Sequence, residues 1–402
     1  MPNGWPANKS EHIVPRHFTV LNKWILPILV SVLLIEACTS SAQIGQQAAN
    51  QTDASQFEAD PAKGRDFREI SVHPNGEELL FVECSRELDP AGGCYVLRYH
   101  LNTKSLQRYA LPVGYFYNTA SFSPRGNYVL MSRVPKTGVS EDEVRQAHEN
   151  AEIVLMRADG TDLKVLPLAR GNKVAPIMSQ DEMRVAYWRS TLRPPGRKSF
   201  SSNFDVWEVD LNTGQDKLYA GPFAFFERHS LQYLSQDEML VGAYGPKEYA
   251  QSMGAYDRKY NNSHVYRVQR GMSRPPEPIL TEVAWADNPS VDMTGNIYFT
   301  GYRPGALRGE LVISPSKKTV QGTIEQWKWP IRYAPGEWGG GPIGVVADPN
   351  GAYIAIVYLT KNTPWRDNKR GMCLLMTQAS EWRNLSIPPL QSSTPIAVKM
   401  QE

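Results

Sequence analysis

His229, in the stretch FFERHS, is the histidine of this chain with the most reactive neighbourhood. Glu227 stands two residues before it, and Asp287 would join the pair if the repeats described below place the two segments side by side. Such a trio could supply a general base with its orienting acid, or part of a metal site. A metal site needs a second histidine nearby, and none of His73, His100, His148 and His264 holds an equivalent place in its repeat. A hydrogen-bonded structural histidine fits better, so the sequence assigns no catalytic residue, no metal and no cofactor. Gly-x-Ser-x-Gly, Cys-x-x-Cys, His-Glu-x-x-His, phosphate loops and dinucleotide fingerprints are all absent. Gly339-Gly340-Gly341 follows Trp338 and precedes a strand, which reads as a close-packed turn.

The second constellation is basic and aromatic. Segment 189–203 (RSTLRPPGRKSFSSN) holds Arg189, Arg193, Arg197 and Lys198 without an acid. Segment 301–309 adds Arg303 and Arg308, and segment 360–372 adds Lys361, Arg366, Lys369 and Arg370 against Asp367 alone. Aromatic residues cluster at Tyr115, Phe116 and Tyr117, at Phe223, Phe225 and Phe226, and at Trp285, Tyr333 and Trp338. Guanidinium groups beside aromatic planes can hold an anionic glycan, a phosphate or an acidic peptide. The plain alternative is solvated loop charges above aromatics that cap a core. The net charge of +2 gives no case for nucleic acid.

The N-terminus reads as an address. Lys9, Arg16 and Lys23 precede the apolar run Trp24 to Ile35, which is too short to span a bilayer and suits a signal peptide. Ile35-Glu36-Ala37-Cys38 resembles the lipobox of bacterial lipoproteins, with Glu36 as a departure from the usual small or apolar residue. That resemblance makes Cys38 the lipidated first residue of the mature chain and implies membrane attachment through lipid. Thr39 after the cysteine favours the outer membrane by the same resemblance. Residues 39–64 are polar and aperiodic, as a tether would be. Cys84 and Cys94 flank a short Gly/Pro-containing loop and could bridge in an oxidising compartment, or stay as two thiols on adjacent strands. Cys373, in MCLLM, reads as a small core residue.

The elements that must carry these groups repeat. An apolar strand, a tight turn and a second apolar strand recur in ISVHPNGEELLFV, ASFSPRGNYVLMS, PIMSQDEMRVAYW, QYLSQDEMLVGAY, PSVDMTGNIYFTG and GVVADPNGAYIAIV. The turn markers Pro74, Pro124, Gln180, Gln236, Met293 and Pro349 lie 50 to 57 residues apart. Each unit also holds a second hairpin, as in FDVWEVDLNTGQDKLYA. Six units of four short strands predict an all-β, six-bladed propeller over residues 65–390, since solenoid repeats are usually shorter. It follows a signal peptide (1–37) and a tether (38–64), and a tail (391–402) ends the chain. His73-Pro74-Asn75-Gly76, Ser123-Pro124-Arg125-Gly126 and Asp348-Pro349-Asn350-Gly351 resemble the turn signature of TolB-like, WD-repeat-related propellers; the third and fourth units carry Ser-Gln-Asp-Glu instead.

In such a propeller the turns between first and second strands share one face with those between third and fourth. The second-to-third and blade-to-blade connections share the other face, and here they are the long ones. Long loops on a rigid scaffold are the usual seat of binding, so the long-loop face is the expected working face. Residues 140–150 open with a Ser-x-x-Glu capping box at Ser140 and Glu143, which predicts a short helix in the second blade. The resemblance implies a non-catalytic, periplasm-facing lipoprotein that binds an envelope protein partner. A propeller lyase or hydrolase acting on an anionic saccharide is the alternative.

Overall fold

The computed structural model describes residues 66–85, 93–137, 140–190, 203–246, 263–283, 285–304, 311–329, 341–359 and 370–401. Every repeat becomes one antiparallel blade. The first holds β1 (Asp66–Val72), β2 (Glu78–Ser85), β3 (Gly93–His100) and β4 (Leu106–Tyr109). The second holds β5 (Tyr115–Phe122), β6 (Tyr128–Pro135), β7 (Glu152–Arg157) and β8 (Lys164–Val165), and the third β9 (Asn172–Met178), β10 (Arg184–Ser190), β11 (Phe204–Asp210) and β12 (Asp216–Leu218). The fourth holds β13 (Phe225–Tyr233), β14 (Glu238–Pro246) and β15 (Ser263–Gln269), with its outermost place marked by a bridge between Tyr266 and Pro278. The fifth holds β16 (Trp285–Val291), β17 (Ile297–Pro304), β18 (Leu311–Lys318) and β19 (Ile324–Gln326). The sixth holds β20 (Pro342–Ala347), β21 (Tyr353–Leu359), β22 (Arg370–Met376) and β23 (Glu381–Asn384). The innermost strands β1, β5, β9, β13, β16 and β20 neighbour one another in turn and close the ring.

The second strand of each blade is apolar on both faces because both faces are covered. In β2, Leu79 and Phe81 pack towards blade six, whereas Leu80 and Val82 pack towards blade two. The described core accordingly falls into clusters that each sit between two adjacent blades. Strict alternation, the mark of a half-exposed strand, gives way to continuous apolar runs.

The short turns also lock blade to blade. Gly76 and Gly126 have φ of +73° and +74°, and a Cβ on either would collide with the preceding blade, at the Asp348 carboxylate and the His73 ring. The third blade solves the same contact without glycine. Glu182 sits there at φ +60° and faces the small Ser123. Its carboxylate accepts from Ser123 Oγ at 2.6 Å, Asn127 Nδ2 at 2.9 Å and the Arg125 amide at 3.2 Å.

Three expectations meet the structure directly. The helix is present as α1 (Glu141–Glu149), with both halves of the Ser140–Glu143 capping box formed, and it packs on β6 and β9 rather than over the channel. Cys84 and Cys94, opposed across β2 and β3, are disulfide-bonded. Cys373 is fully buried, as a core residue should be. The C-terminal stretch departs from the expected tail. Its strand β24 (Thr394–Ile396) pairs in parallel with β4, and the amide of Lys399 then donates to the Gly160 carbonyl of blade two. The reason is an open edge: β4 ends its blade with unpaired backbone groups, and the passing segment satisfies them.

Removing the Glu182 carboxylate should therefore loosen the contact between blades two and three. Glu182→Ala is expected to lower unfolding stability by roughly 1–3 kcal/mol, and Glu182→Gly by less, because glycine tolerates the left-handed backbone. Chemical denaturation of both variants checks the order.

Candidate binding site

A cavity of about 1090 Å³ runs along the propeller axis. Each innermost strand carries a register shift at a matching place: between Arg68 and Ile70, Tyr117 and Thr119, Arg228 and Leu231, Asp287 and Ser290, and Pro342 and Gly344, with β9 shifting against β10. Three residues within these shifts have positive φ: Glu69 (+41°), Ala175 (+49°) and Asn288 (+50°). Bulges of this kind re-aim side chains next to functional surfaces, and here they all line the cavity.

Below the bulges a belt of serines ties neighbouring strands together. Ser71 Oγ accepts from the Phe122 amide at 3.0 Å, Ser121 Oγ donates to the Pro176 carbonyl at 2.8 Å, and Ser290 Oγ accepts from the Ala347 amide at 3.0 Å. Asn288 Nδ2 donates to the Ile343 carbonyl. Sequence reading missed this belt, although its signal is visible: each serine stands two residues before the turn residue His73, Ser123 or Asp292.

The basic set splits. Arg189 is no loop residue: it belongs to β10, is 6% exposed, pairs with Asp216 at 2.8 Å and lies 3.2 Å above the Trp207 ring centre. It is committed to the blade interior because β10 and β11 pair fully from Arg184 to Ser190, two residues beyond the apolar run that marked the strand. Arg370 begins β22 and lines the channel, where it faces Asp66 at 3.8 Å, and Arg68 pairs with the same carboxylate at 2.7 Å. Arg303 falls in β17, but its side chain lies outside the described residues. Arg193, Arg197, Lys198, Arg308, Lys361, Arg366, Lys369 and Trp338 lie outside them as well.

The aromatic set splits too. Phe225 is fully buried among Trp188, Phe223 and Tyr266, so it is core and not binding surface. Tyr117 and Phe223 are core residues likewise. Tyr115 and Phe116 stay half-buried on the long-loop face, with the Arg133 guanidinium 3.7 Å from the Tyr115 ring centre and Lys136 Nζ 5.3 Å from that of Phe116. Beside them Val113 is 94% exposed, a bare apolar tip on the connection from blade one to blade two. His229, Glu227 and Phe226 lie in β13 with side chains outside the described residues. Asp287 is buried at the channel wall, where its carboxylate accepts the Asn288 amide at 2.7 Å. Among the described residues no cluster of histidine, cysteine and acidic side chains is placed to hold a metal.

Among the described residues, the buried Lys173 ammonium has no carboxylate within ion-pair distance. Lys173 stands opposite Arg189 across β9 and β10 and donates to the carbonyls of Ala169 and Gly171 at 2.8 and 3.1 Å. Burial, helped by the Arg189 charge, pulls its ammonium down to about 8, while Asp216 and Glu152 work the other way.

No protein-family model matches the chain, and no curated protein sequence matches it. Solved structures do share its fold. TolB from Acinetobacter baumannii is 13% identical, with a TM-score of 0.50 over 81% of this chain and 64% of that one. An acylaminoacyl peptidase of Pyrococcus horikoshii is 13% identical over 82% of this chain and 53% of that one, at a TM-score of 0.47. An oligogalacturonate lyase in complex with manganese is 11% identical over 80% and 77%, at 0.46. The fold is thus that of a TolB-like, six-bladed β-propeller. The chain spans just under two thirds of the TolB chain's length, 64%.

Lys173 makes the stability pH-dependent in a defined direction. Unfolded, its proton leaves near the ordinary value of 10.5; folded, near 8. The folded state therefore carries the full penalty below pH 8 and sheds it as the pH rises towards 10.5. Between pH 7 and 10 the wild type should gain up to about 3 kcal/mol relative to Lys173→Met. Urea titrations of both proteins across that range check it, and a pH-independent difference would mean that the lysine titrates normally.

Proposed function

We propose that this chain is an exported, periplasm-facing lipoprotein, non-catalytic, whose propeller binds another envelope protein through its long-loop face. The observation that carries the reading is the apolar tip at Val113, almost fully solvated and two residues before half-buried Tyr115 and Phe116 on that face. A contiguous exposed apolar patch rimmed by polar groups marks an interaction surface, and Val113 with the Tyr115 and Phe116 rings and their neighbouring cations is the place on this face where one could form. The chain enters β1 at Asp66 on the same face. The TolB-like fold supports a binding role over a catalytic one, and no described residue favours the saccharide-cleaving alternative.

Two experiments test the reading. A crosslinked pull-down from intact envelopes should capture a stoichiometric protein partner with the wild type. Val113→Asp and a variant with Arg193, Arg197, Arg366 and Lys369 changed to Glu should both lose it. Capture of the same partner by all three would move the site off this face. Separately, Cys38→Ser should shift the protein from the membrane to the soluble fraction and abolish incorporation of labelled palmitate. Retention of the label would refute the lipid anchor at Cys38.

A further inference from the structure

We propose that the channel end on the short-turn face is a second binding site, one that takes the apolar end of a carboxylate-bearing ligand, with Arg125 holding the carboxylate. The site does not depend on the long-loop surface, because it opens at the opposite end of the axis.

The repeat itself builds the rim. In five of the six turns the residue after the His, Ser or Asp lines the cavity: Pro74, Pro124, Gln180, Met293 and Pro349. Three of these have no amide hydrogen, and the amide of Met293 is already used, donating to the Pro349 carbonyl at 2.8 Å. The Arg125 amide is likewise bound, to Glu182. Deeper in, Ser121 Oγ donates and Ser71 and Ser290 Oγ accept hydrogen bonds between blades, and Val72 and Val291 add apolar surface to the wall beneath the rim. Met293 nevertheless stands 73% exposed, an apolar side chain with nothing on it. A rim with few free backbone donors and with prolines and a methionine facing the mouth favours an apolar occupant.

Charge selects the occupant further. Of the arginines that line the cavity, Arg68 and Arg370 share Asp66 at the other end. Arg125 has no ion-pair partner among the described residues. A ligand with its apolar part in the channel mouth and an anionic head at the rim would satisfy both features. A guanidinium suits a carboxylate through two parallel hydrogen bonds. A peptide C-terminus with apolar side chains and a medium-chain fatty acid share this chemistry.

Isothermal titration of the full mature chain separates the two sources. The probes are decanoate, decanol, and an acetylated Ala-Val-Leu peptide with either a free or an amidated C-terminus. At least one carboxylate probe should bind saturably, and its uncharged counterpart roughly tenfold or more weakly, as loss of a charge-assisted hydrogen bond implies. Arg125→Gln should weaken the carboxylate probe by a similar factor and Met293→Glu should abolish its binding, whereas Val113→Asp should leave it unchanged. Both rim side chains are solvent-facing, and unchanged thermal midpoints will confirm that the variants fold. Binding of decanoate alone assigns a lipid source, and binding of the peptide alone a chain terminus. The proposal is overturned if neither carboxylate probe saturates at millimolar concentration, if charged and uncharged probes bind alike, or if binding ignores both rim substitutions.

Discussion

Every blade of this protein is apolar on both sides, and that single constraint governs the rest. A sheet with Leu79 and Phe81 on one face and Leu80 and Val82 on the other has no solvent-ready surface. It is stable only between two neighbours, so the ring must close for any blade to be satisfied. Closure falls between the last blade and the first. Among the described residues no blade strand is exchanged there; the sixth blade is built from residues after 341 and the first from residues before 110, apart from the added β24. Side chains make the joint instead. Tyr353, Ala355, Met372 and Leu374 pack against Phe67, Ile70 and Leu97, and Tyr353 Oη donates to the Gly76 carbonyl at 2.9 Å. The C-terminal segment then runs across the outer edge of blade one and reaches Gly160 and Leu163 of blade two. A strap over the joint does what strand exchange would do: it makes opening of the seam cost backbone hydrogen bonds as well as apolar burial.

Closing the ring also decides what the channel can be. Six inner strands crowd towards one axis, and their matching bulges turn backbone and side chains into the central space. Four polar groups on these strands, Ser71, Ser121, Ser290 and Asn288, bond to the adjacent strand. They stabilise the ring, and the bonds they make there take up part of their hydrogen-bonding capacity. The two channel ends therefore differ: the entry end holds Arg68 and Arg370 around Asp66, and the turn end holds proline, methionine and Arg125, which has no ion-pair partner among the described residues.

The sequence made the architecture legible because the period of the turns and the paired apolar strands repeat six times. It was less informative about individual side chains. Arg189 looked like the first residue of a basic loop, since charge next to Arg193 and Arg197 carries no sign of direction. Only the pairing with β11, which places it over Trp207 and beside Asp216, shows that it points inward. Phe225 failed for the mirror reason: its position on a blade connection suggested surface, yet Trp188 and Tyr266 enclose it. Residues 391–402 lacked any periodicity and so looked like a tail, because a lone added strand has no pattern of its own to show. The helix at Ser140 was legible because its cap is local, whereas Val113 was not, because exposure is a property of the whole surface.

The irregular repeats are where the physics is most exposed. The Ser-Gln-Asp-Glu turns have neither proline nor glycine. In the third blade the substitution preserves the contact by another route. Glycine at Gly76 and Gly126 admits the bulky Asp348 and His73 of the preceding blade, while Glu182 reaches across to the small Ser123 and supplies the acceptors itself. Space and hydrogen bonding are exchanged between partners on two blades, and neither residue makes sense alone. Such pairs keep the ring closed while the turn residues change, which leaves the rim of the channel free to vary in chemistry from one blade to the next.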